Sequence, residues 1–304
     1  MTVTAEPAVH RSTSALASAL VRLARPRQWV KNILLFAAPG AAGVLGQRTA
    51  LVHTVVSFAL FCVASSGTYF INDAIDYEAD RLHPTKRMRP IAAGIVPPAL
   101  AKGAGIVLLA VALSLSALLL SVQFMGVVAG YVFITLAYSV WLKHEPVIDL
   151  ACVASGFIIR AVAGGIAAGV LVSNWFVIVV SFGALFMVAG KRHAEQLDMG
   201  DEASSHRPTL EAYSLSYLRY VRTVSSALAI AAYCLWAFER EASFRGIPWY
   251  EFSIIPVVMG ILRYALVLET GAGSAPEEIV LGDRTLQALG VAWAVLFGLG
   301  VYGR

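Results

Sequence analysis

The sequence predicts an all-α polytopic membrane protein, and three observations carry that expectation. Of the 304 residues, 58% are hydrophobic and only 14% are charged, against about 25% charged in an average soluble domain. The mean hydropathy is +0.72. Long apolar runs recur along the chain, and none shows the period-two alternation that a strand would need.

Nine runs approach the roughly 20 apolar residues that a spanning helix requires: about 28–46, 50–72, 97–120, 123–142, 147–170, 174–191, 216–238, 249–268 and 284–302. A helix satisfies all its backbone groups internally, so these runs predict nine transmembrane helices in one bundle. The first run is the weakest, because Pro39 and Gly40 interrupt it. The fifth carries Asp149 and Arg160 inside an apolar segment. Residues 1–15 are polar and read as a flexible tail, and 16–304 as a single transmembrane domain. No cleavable signal peptide is evident. Cys62, Cys152 and Cys234 stand alone in apolar segments, without metal spacing, and read as small core residues.

Loop charge sets the orientation. Arg22, Arg25, Arg27 and Lys31 open the first run, Arg81 to Arg89 follow the second, Lys143 follows the fourth, and Lys191, Arg192 and Arg207 follow the sixth. If all nine runs cross, these residues share one side, and only Arg48, Arg240 and Arg245 face the other. The positive-inside rule then places the N-terminus and the charged loops in the cytoplasm of a bacterial plasma membrane protein, with the C-terminus outside. The net charge of +4 is explained by this asymmetry and calls for no nucleic acid. The loops after the second and sixth runs are long, about 24 residues each. Long loops in compact proteins carry function, so the chemistry is expected at the cytoplasmic face.

Residues 69–90 concentrate that chemistry. On a helix, Asp73, Asp76 and Asp80 fall at i, i+3 and i+7 and share a face, with Asn72 at its edge and Glu78 pointing away. Three stacked carboxylates need a cation among them. Hard oxygen ligands suit Mg²⁺, which binds through a few carboxylates together with substrate phosphates. Lys86, Arg87 and Arg89 follow at once, as anion-binding residues would. The plain alternative is a solvated loop whose charges only set topology.

Three further elements reach the same face. Residues 25–32, RPRQWVKN, hold Gln28, Lys31 and Asn32 beside an interfacial Trp29, and snorkelling anchors are the competing reading. Residues 142–160 hold Lys143, Asp149 and Arg160. The last two lie eleven residues apart, roughly 16 Å along a helix, so they cannot pair with each other and each needs another partner. A purely structural bridge between helices is the alternative for Arg160. Residues 190–196, GKRHAEQ, end the sixth run. There Lys191 and Glu195 can form a surface i, i+4 pair, or Lys191 and Arg192 can bind phosphate. Tyr213, Tyr217, Arg219 and Arg222 follow at the mouth of the seventh run, where a polyanion would also be served. No Walker A, HExxH or GxSxG motif is present, and His53 reads as a core histidine.

Residues 72–80 match the NDxxDxxxD motif, and the chain resembles the UbiA superfamily of intramembrane prenyltransferases over almost its whole length. That resemblance implies nine transmembrane helices and a Mg²⁺–diphosphate site at their cytoplasmic ends, with Asp73 and Asp76 catalytic and Asp80 a third metal ligand. Typical members carry a second motif, DxxxD, after the sixth helix. Here residues 190–196 hold one acid and two bases instead. Longer strings, RPRQWVKN, NDAIDYEADRLHPTKRMRPIAAG, LKHEPVIDLACVASGFIIRAVAGG and GKRHAEQ, are similar to the decaprenyl-phosphate phosphoribosyltransferase branch, which supplies the arabinose precursor of actinobacterial cell walls. The branch implies 5-phosphoribosyl diphosphate as donor and a polyprenyl phosphate as acceptor, with diphosphate released.

Under that reading Tyr69, Asn72, Lys86, Arg87, Arg89, Gln28, Lys31, Asn32, Lys143, Asp149, Arg160, Lys191, Arg192 and Glu195 are the substrate-binding candidates. Lys86, Arg87 and Arg89 would bind either the ribose 5-phosphate or the diphosphate, and Lys191 and Arg192 the lipid phosphate. Two rivals stand beside it. One is a prenyltransferase acting on a quinone precursor or haem. The other is an anion transporter, against which the charges cluster at one face and no internal repeat is seen. A monomer and a homo-oligomer are both open.

Overall fold

The computed structural model describes residues 13–199, 208–240, 246–269 and 276–303. In chain order come α1 (Thr13–Ala24), a 3-10 stretch (Pro26–Phe36), α2 (Ala37–Ala41), α3 (Arg48–Ile75), α4 (Tyr77–Leu82), α5 (Pro98–Leu119), α6 (Val122–Val140), α7 (Ile148–Ala167), α8 (Asn174–Met199), α9 (Leu215–Phe238), α10 (Trp249–Glu269), α11 (Pro276–Gly282) and α12 (Arg284–Tyr302). No strand occurs among the described residues. Eight of these helices, α3, α5 to α10 and α12, are long and apolar enough to cross a membrane.

The first predicted span, 28–46, is helical to Ala41 but is not a single α-helix. It consists of the eleven-residue 3-10 stretch and the five-residue α2, followed by a turn at Gly43 with φ 73°. Pro39 offers no backbone N–H, and long 3-10 runs are uncommon because their hydrogen bonds are poorly aligned. Tertiary packing holds this stretch in place. The carbonyl of Leu35 lies on Gly164 of α7, where a Cβ would come within 1.9 Å of it. Any side chain at 164 would therefore push the stretch off the bundle.

α1 falls across the edge of the stretch read as a flexible tail. Ala19 and Leu23 share one face and are buried against Phe70 and Ala74 of α3, while Val21 and Arg22 are exposed. Residues 1–12 of the expected tail lie outside the described residues.

Helices adjacent in sequence pack as neighbours in space. α3 lies against α5, α6 and α7, with Phe61, Phe124, Tyr131 and Ala163 in the shared core. Gly67 and Gly105 let α3 and α5 approach closely: a Cβ at Gly67 would meet the Leu109 side chain at 2.9 Å, and one at Gly105 would meet Ile71 at 2.7 Å and the Gly67 carbonyl at 3.0 Å. Such small-residue crossings supply the dispersion contacts that hold helices together where burial from water supplies little. Leu150, Val188, Tyr213 and Leu218 join α7, α8 and α9, and Phe186, Tyr264, Leu268 and Leu286 join α8, α10 and α12.

Polar contacts show which helix ends meet. Lys143–Asp76, Arg192–Asp149 and Arg222–Glu269 tie one end of the bundle together. At the other end Trp175 Nε1 donates to Glu239 at 2.7 Å, and Tyr302 donates its hydroxyl to the Gly40 carbonyl at 3.2 Å. The last contact returns α12 to the broken first segment.

Candidate active site

The aspartate stretch is not one straight helix. α3 ends at Ile75, Asp76 forms the joint with ψ 2°, and α4 carries Asp80. The expected common face survives only in part. Asp73 and Asp80 are buried, at 2% and 4% exposure, and they meet on one guanidinium. Arg89 Nη1 donates to Asp73 Oδ1 at 3.0 Å and to Asp80 Oδ2 at 2.8 Å. Arg25 Nη2 donates to the same Asp73 oxygen at 2.6 Å, and its guanidinium lies over the Tyr69 ring, 4.8 Å from the centroid. Asp76 turns elsewhere and accepts from Lys143 Nζ at 3.0 Å, which brings the end of α6 to the site.

The three carboxylates are therefore neutralised by Arg25, Arg89 and Lys143. Among the described residues no three His, Cys, Asp or Glu side chains converge as a metal cluster. The donor chemistry still fits Mg²⁺, since Asp73 and Asp80 are hard carboxylates close enough to share one cation. Arg89 holds the position between them, so a metal ion there has to displace it.

Asn72 is half-buried on α3 next to Asp73, and Gln28 and Lys31 lie half-buried on the 3-10 stretch. Lys86 and Arg87 sit on a separate turn, Lys86–Met88, with Arg87 exposed. That turn is folded over His83, whose Nδ1 accepts from the backbone N–H groups of Thr85 and Lys86.

Deeper in the bundle, Arg160 finds the partner its burial demands. Its Nε donates to Asn32 Oδ1 at 2.7 Å, Nη1 to the Gly156 carbonyl at 2.6 Å, and Nη2 to the Tyr131 hydroxyl at 3.0 Å. The guanidinium also lies 4.6 Å from the Tyr131 ring centroid. Asn32 in turn donates to Cys62 Sγ. The bridge thus joins the 3-10 stretch, α3, α6 and α7.

Asp149, fully buried, pairs with Arg192. Arg192 Nε donates to Asp149 Oδ2 at 3.1 Å, and its Nη1 donates to Glu195 at 3.0 Å. The Tyr213 hydroxyl donates to Asp149 Oδ1 and accepts from the Val147 N–H at 2.6 Å. Burial first, and then the bond to Asp149, push the Tyr213 hydroxyl well above its ordinary pKa, so it stays a donor. Lys191 is less committed, with its side chain 40% exposed and 3.9 Å from Glu195.

Two residues other than glycine have a left-handed backbone among the described residues, Arg25 at φ 50° and Val147 at φ 69°. Each is held by the contacts just described. Such strain costs about 1–3 kcal/mol and collects at functional sites. Arg25, Tyr131, Tyr138 and Thr209, whose hydroxyl donates to Asp149 Oδ2 at 3.5 Å, were not among the predicted site residues. Tyr131 and Tyr138 carried a readable signal, since a spacing of seven places both on one face of α6. Tyr138 receives Arg192 Nη2 at 3.5 Å. Arg25 carried no such signal, because only folding brings it to Asp73.

Comparison with known proteins gives a consistent result. The sequence profile of the UbiA prenyltransferase family matches residues 33–280. The chain is 44% identical to the decaprenyl-phosphate phosphoribosyltransferase of Corynebacterium glutamicum, over 94% of this chain and 88% of that protein. It is 45% identical to the enzyme of the same name from Mycolicibacterium smegmatis, over 94% and 93%, and 42% identical to that of Mycobacterium tuberculosis, over 97% and 98%. Among solved structures, a UbiA homolog from Archaeoglobus fulgidus bound to DMAPP and Mg²⁺ superposes with a TM-score of 0.72, at 20% identity, over 94% of this chain and 99% of that one.

Proposed function

The chain belongs to the UbiA prenyltransferase family, and from that premise we propose that it transfers the 5-phosphoribosyl group of phosphoribosyl diphosphate to a polyprenyl phosphate and releases diphosphate. The observation that carries this reading is the 42–45% identity, along nearly the full length, to enzymes named for that reaction. The acid-poor residues 190–196 agree with it. A donor with one diphosphate needs one acidic site, and an acceptor phosphate needs bases.

Asp73 and Asp80, with Asp76 at the joint, are the residues that would hold Mg²⁺. The ion, when bound, neutralises charge on the departing diphosphate. Arg25 and Arg89 already stand on these carboxylates and are the donors at hand for diphosphate oxygens. Arg25 where it stands, and Arg89 once displaced by the ion from between the carboxylates, would stabilise negative charge where it develops, and such electrostatic stabilisation usually lowers the barrier more than any other single effect. Lys86 and Arg87, on their own turn, suit the 5-phosphate at the opposite end of the ribose.

Lys191 is the base with the weakest internal commitment and suits the lipid phosphate. Arg192, tied to Asp149 and Glu195, is read as a positioning residue that fixes this end of α8 against α7. The acceptor oxygen attacks ribose C1 as the C1–diphosphate bond breaks, so the ribose configuration inverts. A phosphate monoester has a second pKa near 6 and is already dianionic at neutral pH. The site therefore needs no general base. The basic loops support a cytoplasmic site, where a soluble phosphorylated sugar can enter.

The test is direct. Purified protein is incubated with labelled phosphoribosyl diphosphate, a polyprenyl phosphate and Mg²⁺, and the organic phase is counted. Label in the lipid is the expected result. Its absence from intact protein, or transfer of a prenyl group from a polyprenyl diphosphate instead, overturns the proposal.

A further inference from the structure

A second polar site lies on the far side of α8 from Asp149. Arg192 faces α7, whereas the next residue, His193, is turned about 100° away around α8, onto another face. That face carries Phe186 and Gly190, and Gly190 packs on Leu268 of α10. Between α8, α9 and α10 a cavity of about 350 Å³ is lined by Arg219, Arg222 and Glu269, by the hydroxyls of Thr223 and Ser226, and by apolar groups that include Phe186 and Leu266.

Its charges are unbalanced. Arg222 is only 5% exposed, and its Nη1 donates to Glu269 at 2.9 Å. Arg219 reaches the same carboxylate at 3.4 Å, with its side chain 62% exposed. Two guanidiniums thus share one acid. The Nε of Arg222 is buried and has no partner among the described residues. His193, 1% exposed and two turns along the helix face from Phe186, also lacks a partner on either ring nitrogen among the described residues, but it lies behind the cavity wall and is not part of its lining. A buried N–H left unpaired costs about 1–3 kcal/mol, so a native structure that keeps one is arranged for a ligand or offsets the loss elsewhere.

The cavity walls say what the ligand looks like. Thr223 and Ser226 donate their hydroxyl protons to backbone carbonyls of α9, which leaves the guanidiniums as the donors. Away from them the walls are Phe186 and Leu266, and Leu266 is 54% exposed on the outer surface of α10. A cationic mouth at the helix ends, continuous with an apolar groove on the lipid-facing side, suits an anionic head with a hydrocarbon chain. Basic pockets between membrane helices bind phosphate head groups in this way.

We infer that the Arg219–Arg222 cavity binds the phosphate head group of a membrane amphiphile, at a site separate from the aspartate cluster. The head chemistry is common to an anionic phospholipid, a polyprenyl phosphate and free phosphate, and the test separates these sources. Unfolding temperatures of the detergent-purified full chain are measured with phosphatidylglycerol, phosphatidylcholine, a polyprenyl phosphate or sodium phosphate, in wild type, Arg219→Gln, Leu266→Trp and Asp73→Asn. Arg219 and Leu266 are both largely exposed, so neither change threatens folding.

The expected result is a rise with phosphatidylglycerol, with polyprenyl phosphate, or with both, which names the source. The rise falls at least threefold in Arg219→Gln and Leu266→Trp and persists in Asp73→Asn. Equal protection by phosphatidylcholine overturns the inference, as does a rise undiminished in both cavity variants or abolished in Asp73→Asn. Protection by sodium phosphate that survives Leu266→Trp overturns the lipid assignment.

Discussion

Arg25 donates its Nη2 to Asp73 Oδ1 across 2.6 Å from a backbone held at φ 50°. The left-handed turn swings the end of α1 over α3, and the ion pair with Asp73 holds it there. A charge-assisted hydrogen bond is worth about 1.5–3 kcal/mol. Arg25→Ala is expected to lower phosphoribosyl transfer about 10- to 100-fold at subsaturating donor, while the protein still elutes as a folded species. A rate within twofold of wild type excludes Arg25 from donor binding.

Asp73 and Asp80 share Arg89, so loss of either carboxylate leaves the guanidinium underpaired. Asp73→Asn and Asp80→Asn are each expected to reduce turnover about 10²–10³-fold, the usual effect of removing one preorganised electrostatic partner. Mg²⁺ titration of the residual activity checks the metal assignment. An unchanged Mg²⁺ requirement in both variants refutes it.

Asn32 is the acceptor for a buried guanidinium, so Asn32→Leu is expected to destabilise the protein by about 1–3 kcal/mol. Replacing both partners with apolar residues, Asn32→Leu with Arg160→Met, is expected to recover part of that loss, because no orphaned charge remains. Thermal unfolding of Asn32→Leu, Arg160→Met and the double variant decides this. If the double variant is the sum of two independent losses, the bridge is not a coupled unit.

Tyr213 serves two groups at once, the Asp149 carboxylate and the strained Val147 N–H. Tyr213→Phe removes both bonds with little change of volume. The expected outcome is a stability loss of about 1–3 kcal/mol together with faster hydrogen exchange at Val147. Exchange at wild-type rates shows that the φ 69° turn is held by other contacts.

Asp283 caps α12 through the Leu286 N–H at 2.8 Å and pairs with Arg263 at 2.8 Å. The bond from Arg263, then the capping bond, hold its carboxyl below the ordinary carboxylate range. A depressed pKa stabilises the fold above the unfolded value of about 3.9 and loses that contribution as pH falls through the folded value. Asp283→Asn is therefore expected to unfold at lower temperature than wild type at pH 7, with the gap narrowing below about pH 4. A gap independent of pH rules out the ionised carboxylate as its cause.

Much of the architecture was legible because membrane burial writes itself locally. Eight of the nine predicted runs are helices, seven within a few residues of their expected bounds and the sixth extending eight residues past its expected end, to Met199, since length and hydropathy alone decide whether a segment can cross lipid. The ninth, 28–46, is helical as far as Ala41, but as a 3-10 stretch that passes into a short α-helix containing Pro39 and Gly40 rather than as one long α-helix. α1 went unread, although the spacing of Leu16, Ala19, Leu20 and Leu23 is helical, because attention to spanning length passes over a twelve-residue amphipathic helix.

The charged residues themselves were legible for a similar reason. Asp149 and Arg160 stand inside apolar runs, and a lone charge there demands a partner. Their spacing excluded each other, and the structure supplies Arg192 and Asn32 instead. Nothing local names those partners. Asn32 and Arg160 are 128 residues apart, and Asp149 and Arg192 are 43.

The amino-acid order by itself determined the helical class, the near-full set of spans, the crowding of charge at one end of the bundle and the acid-rich stretch beside its basic loop. Each of these follows from chemistry within about twenty residues, the length over which hydropathy and helical periodicity act. Only the tertiary structure decided that Arg25 and Arg89 stand on Asp73, that Lys143 takes Asp76, that Arg192 is committed to Asp149, and that Arg219 and Arg222 open a separate cavity. The physical reason is that a charge in low dielectric is neutralised by whatever opposite charge the packing of helices brings within a few ångström, and that proximity is a property of the bundle rather than of any segment.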